Sequence, residues 1–260
     1  MSRTWLTVDT DDRHHRPAVQ GHPRRSEDPD GAGVERVPTE AWLQACSNLA
    51  AWLDRQQAAV TLFVIGDQLT HPTSRQALQE LARRPGVTVG CHGFHHRAWG
   101  AWPMDVAGFA GTLDASMASL QDAFGDRVRP WFRAPSGYVA PWMAAVLAER
   151  GFTVDSSVNP SALVRRKSGP GRSWKAVQEA MAQAGLVERP WMTRFGLPTC
   201  GPALHLPVLR QNARRAWSKV PAPLLPGEEG LVEEEGAITT LYWHLDDHAK
   251  KGGRWTPPLA

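Results

Sequence analysis

His92 and His96 lie four residues apart, a spacing that could support metal binding in this chain of 260 residues. Neutral imidazole is the commonest metal ligand among protein side chains. The two rings could face one point if the chain turned helically there, because residues i and i+4 share a helix face. A catalytic site also needs a third protein ligand, often a carboxylate, and an open position for water. The alternative is that both histidines belong to a polar loop that binds nothing.

Three carboxylates, Asp9, Asp11 and Asp12, could supply that third ligand. They follow residues 5–8, whose sequence WLTV predicts a strand. On a strand Asp9 and Asp11 share a face, so one could bind a metal while the other handles a proton. Carboxylates at strand ends are well placed for catalysis in parallel α/β folds. A polar turn after the strand is the alternative.

Strand and helix signals alternate along the chain and would position these side chains. The predicted strands are residues 5–8, 59–65, 87–89, 128–132, 152–154 and 237–243, and the predicted helices are 39–57, 73–84, 103–124, 140–150, 173–184 and 210–219. This alternation predicts βαβ units around a parallel sheet. Polar residues follow the strands, which favours a barrel whose strands all open onto one mouth. We expect one domain over residues 1–260, with a polar loop at 13–39 and an irregular tail at 249–260.

The composition bears on nucleic-acid binding, disulfide bonding and cellular location. The formal net charge is only +3, and the longest basic run, residues 165–167, has three members, which argues against nucleic-acid binding. Three cysteines at wide spacing predict no disulfide framework. There is no signal-peptide pattern at the start and no run of 18 apolar residues, so we expect a cytoplasmic protein without a membrane span.

Five short segments, in this order, resemble the motifs of the polysaccharide deacetylases of carbohydrate esterase family 4, the NodB-homology domain. They are TVDTDD at residues 7–12, HGFHH at 92–96, RAPSG at 133–137, DSS at 155–157 and LYWH at 241–244. The resemblance implies a deformed (β/α)7 barrel. It also implies an enzyme that uses a divalent metal to remove an N-acetyl group from an amino sugar or a glycan precursor.

The resemblance also implies roles for particular residues. The metal ligands would be Asp11, His92 and His96, with Asp12 as the alternative carboxylate. Thr10 separates Asp9 from Asp11, and this Asp-x-Asp pattern resembles a branch of the family that includes allantoinase-like members.

The remaining roles concern proton transfer and substrate binding. Asp9 would be the catalytic base, Arg133 its bidentate partner and His244 the general acid. Four residues would contact or shape the substrate groove, with a backbone N–H near Tyr138 stabilising the oxyanion: Pro135, Tyr138, Asp155 and Trp243.

Zinc is the expected metal, with nickel, cobalt and manganese as alternatives. The expected partner is an N-acetylated sugar, a glycan, or a lipid-linked or nucleotide-linked precursor. Two other functions stay open: a related C–N hydrolase, such as a deformylase or an allantoinase-like amidase, and a carbohydrate-binding homologue without catalysis. The sequence leaves the oligomeric state undetermined.

Overall fold

The protein was analysed as a computed structural model that describes residues 2–31, 33, 36–234 and 236–259. Its strands, in chain order, are β1 (Arg3–Asp9), β2 (Val60–Val64), β3 (Val87–Cys91), β4 (Val128–Phe132), β5 (Val154–Asp155), β6 (Val187–Glu188), β7 (Thr193–Arg194), β8 (Leu197–Pro198) and β9 (Ile238–His244). Every residue of β2 and β3 is buried. Burial along the whole strand is expected where helices or side chains cover both faces of a parallel sheet.

Seven of the strands form one parallel sheet in the order β6-β5-β4-β3-β2-β1-β9. Strands β7 and β8 form a separate antiparallel hairpin. Just beyond β6, Trp191 makes an isolated parallel bridge to Thr240 of β9, and the Met192 N–H donates to the Thr240 carbonyl at 3.0 Å. These contacts bring the two edges of the sheet together, so the sheet curls into the predicted deformed (β/α)7 barrel.

Six helices pack outside the sheet: α1 (Glu40–Leu53), α2 (Pro72–Ala82), α3 (Val106–Phe124), α4 (Met143–Glu149), α5 (Trp174–Gln183) and α6 (Pro207–Trp217). Thr39, Asp105 and Ser173 begin α1, α3 and α5, and each side chain accepts a backbone N–H three residues further on. No helix in the described ranges is both long and apolar enough to cross a membrane.

Several local predictions differ from the structure. Helix α1 ends at Leu53 rather than at residue 57, and α3 begins at Val106 rather than at residue 103. The sequence predicted neither β6 nor the β7–β8 hairpin, because two-residue strands leave no periodic signal. The C-terminal segment is more ordered than expected: residues 245–253 form 3-10 turns, and the Asn48 amide of α1 donates to the His248 carbonyl at 2.9 Å.

Candidate active site

The predicted metal ligands Asp11, His92 and His96 come together at the carboxyl ends of β1 and β3. One ligand atom from each residue lies within 4.8 Å of the others. Asp11 Oδ1 is 2.7 Å from His96 Nε2, and Asp11 Oδ2 is 3.6 Å from His92 Nε2. Asp11 also groups within the same limit with Asp9 and His244. Five side chains that could bind a metal or transfer a proton therefore surround one small volume.

The loop after β3 brings His92 and His96 together without the helical turn that their spacing suggested. Gly93 has φ of 74° and His96 has φ of 51°, so the chain turns through two left-handed residues. Glycine adopts this conformation freely, whereas histidine adopts it at a conformational cost. Pro135 fills the space beside Gly93: a Cβ at Gly93 would lie 3.2 Å from Pro135 Cγ. The packing of the 133–137 segment thus supports the histidine loop.

A hydrogen bond fixes the orientation of His92. Its Nδ1 lies 2.8 Å from the Arg133 carbonyl oxygen, and because that oxygen only accepts, Nδ1 carries the proton. The other ring nitrogen, Nε2, then faces Asp11. Metal-binding histidines are commonly oriented in this way, by a second partner at the other ring nitrogen.

Two observations at Asp11 and His96 fit a cation. Asp11 Oδ2 and His96 Nε2 are buried atoms without a hydrogen-bond partner among the described residues, although His96 Nε2 lies close to the other carboxylate oxygen. Burial alone would raise the pKa of Asp11, but His96 and His92 outweigh that effect and hold the pKa well below its ordinary value. An ionised carboxylate beside two imidazole nitrogens is the donor set of a divalent transition metal.

Asp9 and Arg133 form a buried ion pair beside this group. Arg133 Nη1 donates to Asp9 Oδ1 at 2.6 Å, and neither side chain is more than 5% exposed. The contact uses one nitrogen rather than the predicted two. The remaining nitrogens of the guanidinium, Nε and Nη2, donate to the carbonyl and the hydroxyl of Ser156 at 2.9 and 2.8 Å. Ser156, rather than Asp9, therefore accepts the second hydrogen bond of the predicted bidentate contact.

His244 ends β9 and is half-buried at the cavity wall. Asp247, not Asp246, is the carboxylate tied to it: the His244 backbone N–H donates to Asp247 Oδ2 at 3.3 Å. Asp246 instead pairs with Arg16 at 3.2 Å. Burial would raise the pKa of Asp247, but the hydrogen bond from His205 and the nearby cations lower it to about 2.

The Asp12 carboxylate is hydrogen-bonded to the residue that begins helix α1. Its carboxylate accepts the backbone N–H and the hydroxyl of Thr39 at 2.8 and 2.7 Å. Thr39 is itself the N-cap of α1. Asp12 is not among the residues grouped with His92 and His96, so the geometry favours Asp11 as the carboxylate ligand.

Two of the predicted substrate residues do not line the cavity. Trp243 is fully buried on the outer side of β9, where it packs against Trp52 and Trp217 and donates Nε1–H to His248. Asp155 is fully buried and accepts the hydroxyl and the backbone N–H of Ser157. Trp243 differs from the prediction because side chains alternate along a strand: Tyr242 and His244 share one face, and Trp243 has the other.

Tyr138 and Pro135 also lie behind the cavity wall. The Tyr138 N–H donates to the Pro135 carbonyl at 3.2 Å. The Tyr138 ring packs edge-on against His22. Ser136 and Gly137, the residues between them, do line the cavity.

The cavity beside the ligand group has a volume of about 390 Å³. Sequence reasoning missed several of its residues, although the alternation along β9 could have identified Tyr242. Trp191 comes from the bridge that joins the sheet edges, and its Nε1–H donates to the Ser156 carbonyl at 2.8 Å. The further lining residues outside the predicted motifs include Trp191, Tyr242, Lys167, His205, Leu206 and Lys250.

The polysaccharide deacetylase family model matches residues 39–154 of this chain. This stretch of the chain is therefore similar to the polysaccharide deacetylases. The matched range contains His92, His96 and Arg133, while Asp9, Asp11 and His244 lie outside it. The agreement of the remaining motifs therefore rests on the geometry described above. No protein of curated function matches the sequence.

Solved structures resemble this chain in fold. A protein assigned as a polysaccharide deacetylase from Mycobacterium smegmatis has 18% identity and a TM-score of 0.59, over 97% of this chain and 79% of that one. A CE4 esterase from Streptococcus mutans has 13% identity and a TM-score of 0.44, over 93% and 73%. A CE4 family pseudoenzyme from Bacillus anthracis has 12% identity and a TM-score of 0.44, over 92% and 54%. Of these three, the first supports the assignment of the barrel fold.

Proposed function

We propose that this protein is a metal-dependent hydrolase that removes an N-acetyl group from an acetylated amino sugar or glycan. The observation that carries the proposal is the grouping of Asp11, His92 and His96 beside the buried Asp9–Arg133 pair and His244. The match of residues 39–154 to the polysaccharide deacetylase family model supports an acetylated carbohydrate as the substrate. The geometry supplies what hydrolysis of an amide needs: a place for a cation, a carboxylate base and an imidazole acid around one cavity.

Asp11, His92 and His96 would hold the metal. Two imidazoles and one carboxylate suit zinc, and the same donors also bind nickel, cobalt or manganese. A divalent cation there would polarise the amide carbonyl and make water a stronger acid, which addresses the weakness of both reactants at neutral pH.

Asp9 would act as the general base. Its Oδ1 is held by Arg133, which leaves Oδ2 to accept a proton from the attacking water. Because Arg133 is fully buried and anchored on Ser156, the carboxylate cannot turn away from the cavity without leaving a buried cation unpaired. Arg133 therefore orients the base rather than reacting with the substrate.

His244 would act as the general acid. Its grouping with Asp9 and Asp11 supports this role, because an imidazole there could give a proton to the leaving amine of the sugar. The N–H bond to Asp247 holds the backbone at the end of β9, which fixes where the ring can point. Trp191 and Tyr242 give the wall apolar faces on which a sugar ring could stack.

The proposal is tested by measuring bound metal and acetate release on the same protein samples. Metal per chain is measured by mass spectrometry, and acetate is measured after incubation with N-acetylglucosamine oligomers. His92→Ala is expected to lose both metal and acetate release. His95→Ala is the matched control, because His95 is half-exposed and lies outside the ligand group.

The outcomes separate the parts of the proposal. Wild type with about one metal per chain and with acetate release, both lost in His92→Ala and kept in His95→Ala, supports metal-dependent deacetylation. Metal without acetate release would reject deacetylation of these substrates and direct the search to other amides, such as formamides and cyclic ureides. No metal after incubation with zinc, cobalt, nickel or manganese would reject the metal site.

A further inference from the structure

Four exposed apolar side chains lie on the segments beside the cavity. Leu163, Phe195, Leu206 and Val208 are between 50% and 88% exposed. They belong to the 3-10 turn Ala162–Lys167, to the tip of the β7–β8 hairpin, and to the residues that begin α6. We call these four residues the apolar patch. Exposed apolar side chains that lie together, unlike isolated ones, commonly mark an interaction surface.

The three segments that carry the apolar patch are joined to one another. The Ser161 hydroxyl donates to the Gly196 carbonyl at 2.7 Å, which ties the 3-10 turn to the hairpin tip. The Asn212 side chain exchanges hydrogen bonds with Arg194 at 3.4 Å, which ties α6 to the hairpin. The apolar residues therefore belong to one supported surface rather than to three separate loops.

The same part of the chain carries a large excess of positive charge. Residues 161–220 contain eleven Lys and Arg residues but only two acidic residues, which gives a formal charge of +9, whereas the whole chain carries +3. Arg165, Arg166 and Arg210 are exposed near the apolar patch, and the Arg194 guanidinium lies over the Phe195 ring at 4.6 Å. The rest of the chain is consequently acidic, whereas Arg165, Arg166, Arg194 and Arg210 each lie within three residues of a member of the apolar patch.

The cavity opens at this surface. Leu206 belongs to the apolar patch and also lines the cavity, and Lys167 lines the cavity at the end of the turn that carries Leu163. None of the described carboxylates lies within ion-pair distance of Lys167, whose Nζ donates to the Ser136 carbonyl at 2.7 Å. A partner docked on the apolar patch would therefore sit next to the mouth of the proposed active site.

We propose that the apolar patch and its surrounding arginines bind the surface of a bilayer that contains anionic lipid. Exposed leucine, valine and phenylalanine can insert among acyl chains, while arginines beside them contact lipid phosphates. A soluble polyanion would account for the arginines but not for the apolar side chains, and a neutral apolar partner would not account for the charge. Where the proposed deacetylation also holds, this arrangement would favour a lipid-linked acetylated sugar as substrate.

The test measures vesicle binding of the full chain, so it does not depend on catalysis. Binding to vesicles of phosphatidylcholine with phosphatidylglycerol is compared with binding to phosphatidylcholine alone, at low and at high salt. Phe195→Ser/Val208→Ser removes apolar side chains and Arg165→Gln/Arg166→Gln removes charge. Leu225→Ser is the matched control for loss of an apolar side chain, because Leu225 is 47% exposed but lies at the opposite end of the barrel. Its neighbour Leu224 donates its backbone N–H to the carbonyl of Thr4, near the start of β1.

We expect the wild type to bind the anionic vesicles and not the neutral ones, with binding that falls as salt increases. Each double variant should bind about tenfold or more weakly, and the Leu225 variant should bind like the wild type. Circular dichroism confirms that each variant is folded. The proposal is overturned if the wild type does not bind the anionic vesicles or if all the variants bind them equally. It is also overturned if the protein binds heparin or DNA more tightly than vesicles, or if sedimentation shows a stable dimer that buries the patch. Metal content and acetate release, measured separately, report on the proposed function alone.

Discussion

Arg133 holds the Asp9 carboxylate through Nη1 at 2.6 Å and, through its own backbone carbonyl, accepts the Nδ1–H of His92 at 2.8 Å. One residue at the end of β4 thus orients a carboxylate on β1 and an imidazole after β3. The side chain does the first task and the main chain does the second. A substitution of the side chain can therefore disturb the base while leaving the orientation of the histidine intact.

Arg133→Lys should lower activity without removing metal. A lysine keeps the charge but cannot reach Asp9 and both Ser156 oxygens at once, because its ammonium is a single point rather than a planar fork. We expect kcat to fall about 10- to 100-fold and the free energy of unfolding to fall by about 1–3 kcal/mol. Steady-state kinetics, urea denaturation and metal analysis check this. Loss of metal together with activity would contradict the division of roles between side chain and backbone.

Asp12→Ala and Asp11→Ala should have opposite effects on metal binding. Asp12 secures Thr39 at the start of α1 through two hydrogen bonds, so its removal should cost about 1–2 kcal/mol of unfolding free energy while metal stays bound. Asp11→Ala should abolish metal binding. In a chelating buffer its unfolding free energy should also fall, because the Asp11 carboxylate loses its ion pair with His96 Nε2 at 2.7 Å and its interaction with His92. Metal retained by Asp11→Ala and lost by Asp12→Ala would reverse the assignment.

The sequence predicted the barrel because its apolar strands and amphipathic helices alternate, and these signals depend only on local patterns. It also predicted that Asp9, Asp11, His92 and His244 would share one end of the sheet, since parallel strands place their carboxyl ends together. The choice between Asp11 and Asp12 was beyond this kind of reasoning. It depends on Thr39, 27 residues further along the chain, whose hydroxyl donates a hydrogen bond to the Asp12 carboxylate.

Other features depend on contacts between distant segments. Trp191 enters the cavity because it bridges to Thr240, and a two-residue β6 gives no pattern from which that bridge could be predicted. The basic surface was also missed, because a nearly neutral whole chain conceals a segment with a formal charge of +9 between residues 161 and 220. A count of charge by segment, rather than of runs, would have found it.

Trp243→Phe and Trp191→Phe should separate packing from substrate binding. Trp243 packs against Trp52 and Trp217 and donates to His248, so its replacement should cost about 1–3 kcal/mol of unfolding free energy with KM unchanged. Trp191 lines the cavity, and its replacement should raise KM for a good substrate several-fold. Kinetics and thermal denaturation of both variants check this. A change in KM for Trp243→Phe alone would place the substrate on the outer side of β9.

Glu188→Gln should stabilise the protein at high pH and have little effect at low pH. Burial, followed by the charge of Asp155, raises the pKa of Glu188 well above its ordinary value, so the side chain is neutral in the folded state over a wide range. A raised folded pKa gives stability that is fully present below the unfolded pKa, near pH 4.5, and that is lost as pH rises towards the folded pKa. Glutamine remains neutral at every pH.

The variant should therefore match the wild type near pH 4 and become more stable than it above pH 4.5. The difference in unfolding free energy should grow by about 1.4 kcal/mol for each pH unit until the folded pKa is reached, and then stay constant. Urea denaturation of both proteins from pH 4 to pH 9 measures the difference. Arg150→Gln is a suitable control, because Arg150 pairs with acidic residues at the protein surface and its effect should vary little over this range. A difference that is constant with pH, or that favours the wild type as pH rises, would show that Glu188 is ionised in the folded protein.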